Sequence, residues 1–147
     1  MELKIAFLTV EDRSQWEKLA RGYKEFYKTT VSDAEYETAW TRLIAQDGVF
    51  GLVAKVDSKL VGIAHYLFHT STWQTSVCYL QDLFTAPEAR GRGVARALIE
   101  AVAVKAREQK ASRYYWTTQE DNTTARVLYD KIAKCNGFIR YDFPLQK

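Results

Sequence analysis

The sequence predicts one domain of the mixed α/β (α+β) class, with a mostly antiparallel central sheet and helices on both of its faces. Three strand-like segments follow one another in the middle of the chain, between Val49 and Phe84. Helical periodicity flanks this block on both sides, and a β-α-β pattern follows it. The expected order of elements is β-α-α-β-β-β-α-β-α-β, in a single domain of residues 1–147.

The first part of the chain predicts one strand and two helices. Residues 4–8 (KIAFL) are typical of a strand. Trp16, Leu19 and Tyr23 then recur at helical spacing. Ser32, followed by Asp33, is a suitable N-cap for a second helix.

The middle block predicts three strands at residues 49–56, 60–68 and 76–84, which are rich in β-branched and aromatic residues. Asp57-Ser58-Lys59 separates the first two as a turn, so they should form a hairpin. In the third strand Asp82 alternates with Leu80 and Phe84, which predicts that these three side chains share one face.

The last part of the chain predicts a helix from Val94, a strand at residues 113–118, a second helix at 122–134 and a final strand at 138–143. Gly137 should end the second of these helices.

Composition and charge narrow the classes of protein. Hydrophobic residues make up 47% and the formal net charge is +3, which is typical of a globular domain and too mild to indicate nucleic-acid binding. No signal peptide or apolar run of about 18 residues is present, so we expect a cytoplasmic protein that does not enter membranes.

Cys78 and Cys135 are expected to be free thiols. His65 and His69 lack an evident third ligand, so no metal site is expected.

The stretch EARGRGVARALIEAVA carries the clearest chemical signal. Gly91 and Gly93 lie at the expected start of a helix, where glycine allows close approach to the backbone. Unpaired N–H groups and the positive end of the helix dipole favour phosphate there. Arg90, Arg92 and Arg96 add positive charge. The string is neither a P-loop nor a complete GxGxxG fingerprint, so it predicts a pyrophosphate site of another kind.

Arg90-Gly91-Arg92-Gly93-Val94-Ala95 resembles the acetyl-CoA-binding motif [Q/R]-x-x-G-x-[G/A] of the GNAT (GCN5-related) N-acetyltransferases. YLQDLFTAPEARGRG resembles the strand and loop that precede this motif in the family, and NTTARVLYDK resembles a later helix. The resemblance implies the GNAT fold over the whole chain. CYLQDLF, YYWTTQEDN and ARVLYDK look most like the branch related to histone and polyamine acetyltransferases.

The resemblance also implies roles for individual residues. Tyr129 would be the general acid for the leaving thiolate, Asn122 would touch the cofactor, and Asp82, or Glu120 through water, would be the base.

An N–H near Leu83 would polarise the acetyl carbonyl. The pantetheine arm would pair with the backbone of Leu83, Phe84 and Thr85, and the pyrophosphate would lie on Arg90, Gly91, Arg92, Gly93, Val94, Ala95 and Arg96.

Each role has a plainer alternative. Tyr129 lies on the apolar face of its helix and fits a structural tyrosine, Asn122 fits an N-cap, and Asp82 fits a structural acid that fixes a loop. Glu120 fits a residue that favours the helix dipole.

Glu25 and Tyr27 could line an amine site or belong to the helix surface and core. Gln81 stands where the polyamine branch typically has glutamate, which argues against polyamine specificity.

The sequence therefore predicts transfer of an acetyl group from acetyl-CoA, as co-substrate, to a primary amine by direct attack in a ternary complex, without a metal. The amine is a small molecule or a protein lysine, nucleic acid and membrane are not expected partners, and a homodimer is one expectation because family members commonly dimerise. A CoA-binding module without turnover is the alternative. A nucleic-acid-binding domain, the third reading, rests on the arginine cluster alone.

Overall fold

The computed structural model describes residues 2–146, which divide into two compact units at Thr117/Thr118. The first unit holds a five-stranded sheet. No helix among the described residues is long and apolar enough to cross a membrane. The strands are β1 (Leu3–Phe7), β2 (Phe50–Val56), β3 (Lys59–His69), β4 (Val77–Thr85) and β5 (Arg113–Tyr115). The helices are α1 (Arg13–Phe26), α2 (Asp33–Ala45), α3 (Val94–Glu108) and α4 (Thr123–Ile132).

The sheet has the strand order β1-β2-β3-β4-β5. The first four strands are antiparallel to their neighbours, and β5 lies parallel to β4. The predicted hairpin is confirmed: β2 and β3 meet at Asp57 and Ser58, whose φ angles are 51° and 67°. Two successive residues with positive φ match the right-handed twist of the strands that such a turn joins. The mixed, mostly antiparallel sheet is therefore as predicted.

Helices lie on both faces of this sheet. The indole nitrogen of Trp16 in α1 reaches His65 on one face of β3. Gly62 of β3 faces α3 instead, because a Cβ at this position would lie 2.7 Å from Val94 and 3.0 Å from Leu98. The strand reverses its side-chain direction at every residue, so positions 62 and 65 point to opposite faces. The buried core of the unit fills both layers, with Trp16, Ile63, Leu98 and Val102 at 1% exposure or less.

The second unit contains α4 and the residues that follow it. α4 ends at Ile132 rather than near Lys134, because Ala133 is extended, with φ −144° and ψ −174°. The final strand predicted at residues 138–143 is wrong: these residues form no strand. An apolar-rich segment becomes a strand only when its backbone N–H and C=O groups pair with a neighbouring strand. Here the Phe138 amide donates to the Asn136 side chain (3.2 Å), and Phe138, Tyr141 and Phe143 are each more than 80% exposed.

Candidate active site

The predicted phosphate loop is an open turn that leads into α3. Gly91 and Gly93 have φ angles of +79° and +81°, in the left-handed region that favours glycine. No atom lies within 4 Å of the place where a Cβ would stand at either residue. The first turn of α3 begins at Val94, so its leading amide N–H groups have no partner within the helix. The loop thus combines free space with backbone donors.

Positive charge surrounds this loop. The Arg90 Nε donates to the Thr85 carbonyl oxygen (3.2 Å), and its guanidinium lies 5.4 Å from the centre of the Phe84 ring. The Arg96 Nε donates to Glu100 one turn along α3, at 2.8 Å. Arg90, Arg92 and Arg96 are all exposed. An anionic group at the loop would therefore meet both the helix dipole and guanidinium groups.

One edge of β4 is open beside the loop. β3 pairs with β4 from Val77 to Thr85, except at Gln81. On its other side β5 pairs only with Val77, Cys78 and Tyr79. Within the first unit, no strand pairs with that side of β4 from Leu80 to Thr85. Apart from the Thr85 carbonyl oxygen, which accepts from Arg90, the outward N–H and C=O groups of this segment are available to an extended ligand that adds as a further strand.

A β-bulge interrupts β4 at Gln81. His65 pairs with Asp82 but the next residue, Tyr66, pairs with Leu80, so Gln81 is an extra residue. Directly paired residues share a face, and His65 and Tyr66 point to opposite faces. Leu80 therefore lies on the face opposite to Asp82. The predicted alternation of Leu80, Asp82 and Phe84 is wrong for Leu80, because the bulge shifts the period.

Asp82 lies at the bulge with two hydrogen-bond donors. The ring Nδ1 of His65 is 2.9 Å from its Oδ2, and the hydroxyl of Tyr23 also donates to the carboxylate. Burial alone would raise the pKa of Asp82, but these hydrogen bonds and the charge of Lys24 outweigh it and lower the pKa. Burial and the neighbouring negative charge raise the pKa of Tyr23. Asp82 is thus a carboxylate and Tyr23 a phenol at neutral pH.

Of the other candidate substrate residues, Glu25 and Tyr27 lie at the C-terminal end of α1, and Gln81 lies in β4. Tyr27 closes the helix as its C-cap, and its ring centre is 5.0 Å from that of Tyr23. Gln81 is exposed at the bulge, and Glu25 is exposed on α1. Tyr27 and Asp82 therefore both neighbour Tyr23, whereas Glu25 and Gln81 lie on the surface.

The remaining candidates belong to the second unit. Asn122 is the N-cap of α4, but its amide donates to the Thr118 hydroxyl (3.1 Å) instead of capping the helix with its oxygen. Tyr129 is half-buried on the face of α4 that also holds Leu128. Glu120 is exposed, and its carbonyl oxygen accepts from Arg126 (2.8 Å). The cofactor and catalytic roles of these residues stay predictions.

Two contributors to the site, Trp16 and His65, were missed by the sequence analysis, in which Trp16 served only to predict a helix and His65 was considered only as a metal ligand. His65 bonds to Asp82 and also accepts from the Trp16 indole N–H (3.0 Å). The available signal was that His65 and Asp82 occupy two adjacent predicted strands. Among residues 2–146 no three His, Cys, Asp or Glu side chains cluster as a metal site would require.

Comparison with known proteins agrees with this geometry. The family model described as Acetyltransferase (GNAT) family matches residues 15–133. The chain is 34% identical over 127 residues to the D-amino-acid N-acetyltransferase HPA3 of Saccharomyces cerevisiae, covering 84% of this chain and 79% of that protein. It is 26% identical to the thialysine N-epsilon-acetyltransferase of Caenorhabditis elegans, covering 90% and 83%.

A solved structure supports the fold. The structure of AAC(6')-Iy in complex with the bisubstrate analog CoA-S-monomethyl-acetylneamine superposes with a TM-score of 0.87 at 17% identity, covering 98% of this chain and 99% of that one. The branch indicated by the sequence is consistent with the two curated relatives. From the family match over most of its length, the chain belongs to the GNAT family of acetyltransferases and is an acetyl-CoA-dependent N-acetyltransferase.

Proposed function

We propose that the enzyme binds acetyl-CoA along the open edge of β4 and transfers the acetyl group directly to a primary amine in a ternary complex. The observation that carries this proposal is the unpaired edge from Leu80 to Thr85, which leads into a glycine loop with free space and positive charge. The pantetheine arm would pair with the backbone of Leu83, Phe84 and Thr85. The pyrophosphate would lie on the loop and on the first turn of α3.

The chemistry requires a neutral amine, a stabilised oxyanion and a protonated leaving group. Deprotonating an alkylammonium of pKa about 10.4 at pH 7 costs roughly 4.6 kcal/mol, so a nearby carboxylate that receives the proton helps. Asp82, or Glu120 through a water, would take this role. An N–H near Leu83 would stabilise the oxyanion of the tetrahedral intermediate. Tyr129 would protonate the CoA thiolate.

The proposed substrate class is a small amine. The two curated relatives are named for D-amino acids and for thialysine. The carboxylate of Asp82 and the ring of Tyr27, both beside Tyr23, suit an ammonium group. The exposed Gln81 supplies no second carboxylate at the bulge, so a polyamine would meet less negative charge.

A calorimetric titration tests the cofactor site. We expect micromolar binding of acetyl-CoA by the wild type and none by Arg90→Ala, Gly93→Asp, which removes a guanidinium and places a carboxylate at the phosphate site. Arg107→Ala, Gln109→Asp makes the same charge change at the exposed far end of α3 and serves as the control. Absent binding by a folded wild type, or equal binding by both variants, would contradict the proposed site.

Amine-dependent release of CoA tests turnover. D-amino acids, thialysine, lysine and spermidine are each mixed with enzyme and acetyl-CoA, and the free thiol is followed. We expect release with at least one amino acid and slower release with spermidine. Binding of acetyl-CoA without release by any amine would favour the module that binds CoA and does not turn it over.

A further inference from the structure

Three side chains from three elements form a continuous hydrogen-bonded chain that ends at Asp82. Trp16 in α1 donates its indole N–H to His65 Nε2 in β3, at 3.0 Å. His65 Nδ1 lies 2.9 Å from Asp82 Oδ2 in β4. Trp16 is 1% exposed, and the side chains of His65 and Asp82 are 12% and 20% exposed. This series of hydrogen bonds therefore runs from the core to the partly exposed carboxylate of Asp82.

The hydrogen bonds among Trp16, His65 and Asp82 assign the tautomer of His65. An indole N–H is a donor only, so Nε2 must accept with its lone pair. The ring proton is then on Nδ1, where it donates to the Asp82 carboxylate. A hydrogen on both ring nitrogens would set two N–H groups against each other at the Trp16 contact.

Trp16 itself has little freedom to move. Its ring packs 5.2 Å from the ring of Trp40 and 6.1 Å from that of His65. Both donors to Asp82, His65 and Tyr23, are thus held by packed elements, and Lys24 adds a positive charge near the carboxylate. The orientation of Asp82 is therefore set by donors on two elements, β3 and α1.

We propose that His65 is a positioning residue for acetyl transfer: fixed by Trp16 in the Nδ1–H tautomer, it orients the Asp82 carboxylate toward the amine substrate. This rests on the proposed function, in which Asp82 faces the amine. Asp82 immediately precedes Leu83, where the acetyl carbonyl would lie. A small rotation of the carboxylate would move its charge relative to the attacking nitrogen, and misplacement by about 1 Å can cost about a hundredfold in rate.

Two substitutions at His65 separate its two hydrogen bonds. The amide N–H₂ of His65→Asn can take the place of Nδ1–H and donate to Asp82, but it loses the Trp16 partner. The amide oxygen of His65→Gln can take the place of Nε2 and accept from Trp16, but it loses the bond to Asp82. His69→Gln is the matched control, because His69 lies on the same face of β3 and contacts Tyr115 instead (3.2 Å).

Steady-state kinetics with the best amine of the panel then tests the proposal. We expect His65→Gln to lower kcat/KM for the amine about tenfold to a hundredfold with the Kd for acetyl-CoA unchanged. His65→Asn should retain most of the activity, and His69→Gln should match the wild type. Adding His65→Gln to Asp82→Asn should cause no further loss, because both act through one carboxylate.

Several results would overturn the proposal. Equal losses in His65→Asn and His65→Gln that follow their melting temperatures would show a structural role alone. Additive losses with Asp82→Asn would show that His65 acts independently of the carboxylate. The tautomer is read separately by ¹⁵N NMR of the wild type, in which only two histidines contribute. A proton on Nε2 of His65 would refute the assignment even in a preparation without turnover, whereas a missing turnover with the expected tautomer would refute the proposed function only.

Discussion

The ammonium of Lys55 lies 2.8 Å from Oδ1 of Asp12, a carboxylate that is almost fully buried. The other oxygen, Oδ2, accepts from the backbone N–H of Thr9 (2.9 Å) and from its hydroxyl (3.1 Å). Burial alone would raise the pKa of Asp12, but these partners lower it. The interaction joins β2 to the short turn between β1 and α1.

Replacing Asp12 with asparagine should destabilise the protein by about 1–3 kcal/mol at pH 7, because the contact of this buried carboxylate with the Lys55 ammonium and its two hydrogen bonds with Thr9 are weakened. A carboxyl whose folded pKa is lowered stabilises the fold above its unfolded pKa of about 3.9. That stability is lost as the pH falls through the lower folded value. The gap between wild type and variant should therefore shrink below about pH 4. Urea unfolding at pH 7 and pH 3 measures it, with exposed Asp47→Asn as control. A gap that is independent of pH would contradict the assignment.

Gly62→Ala should destabilise the protein by about 1–3 kcal/mol, because the new methyl would press against Val94 in α3 and lie 3.4 Å from the Phe84 carbonyl oxygen. Denaturant unfolding of Gly62→Ala, Val94→Ala and the double variant measures this. The double variant should lose less than the sum of the two single losses, since Val94→Ala makes room for the methyl. Simple additivity would mean that the helix does not limit the space at Gly62.

Tyr129→Phe should lower kcat about a hundredfold and leave the Kd for acetyl-CoA unchanged, since only the acidic hydroxyl is removed. Single-turnover kinetics and calorimetry give the two values. Tyr141→Phe is the control in the same unit, because Tyr141 is 87% exposed. An undiminished kcat in Tyr129→Phe would assign the tyrosine a structural role.

Thiol labelling should distinguish the two cysteines. Cys78 in β4 is fully buried, and burial raises its pKa to about 11, whereas Cys135 is exposed. A disulfide reagent should therefore modify one thiol per native chain within minutes and a second only in urea. Cys135→Ser should abolish the fast reaction. Rapid labelling that persists in this variant would show that the β4–β5 region opens readily.

Most of the sheet was predictable from local patterns. The hairpin at Asp57 and Ser58 joins two apolar runs whose turn chemistry is evident in the sequence, and α3 follows its helical period from Val94. The absence of a strand at residues 138–143 was not predictable in this way, because an apolar-rich segment forms a strand only where a neighbouring strand pairs with it. The helix after Asn122 was found, but its end was placed two residues too late.

The candidate site was predictable where its chemistry is carried by consecutive residues. The loop is recognisable because Gly91 and Gly93, which adopt positive φ angles, stand directly beside arginines in the sequence. No local sequence pattern predicts the bulge at Gln81. This bulge determines which side chains of β4 share a face with Asp82. The contact between His65 and Trp16 depends on the packing of α1 against β3, which local spacing does not specify.

The open edge of β4 has a consequence for solvent exchange. Amide hydrogens of β4 that point toward β3 are held in the ladder on both sides of the bulge at Gln81, whereas those that point outward between Leu80 and Thr85 face no strand of the first unit. In deuterated water the same strand should therefore label at two rates, with slow and fast positions alternating along one peptide. A bound ligand that adds to this edge would slow the fast set and leave the slow set unchanged, so the labelling pattern would record which side of the strand is occupied.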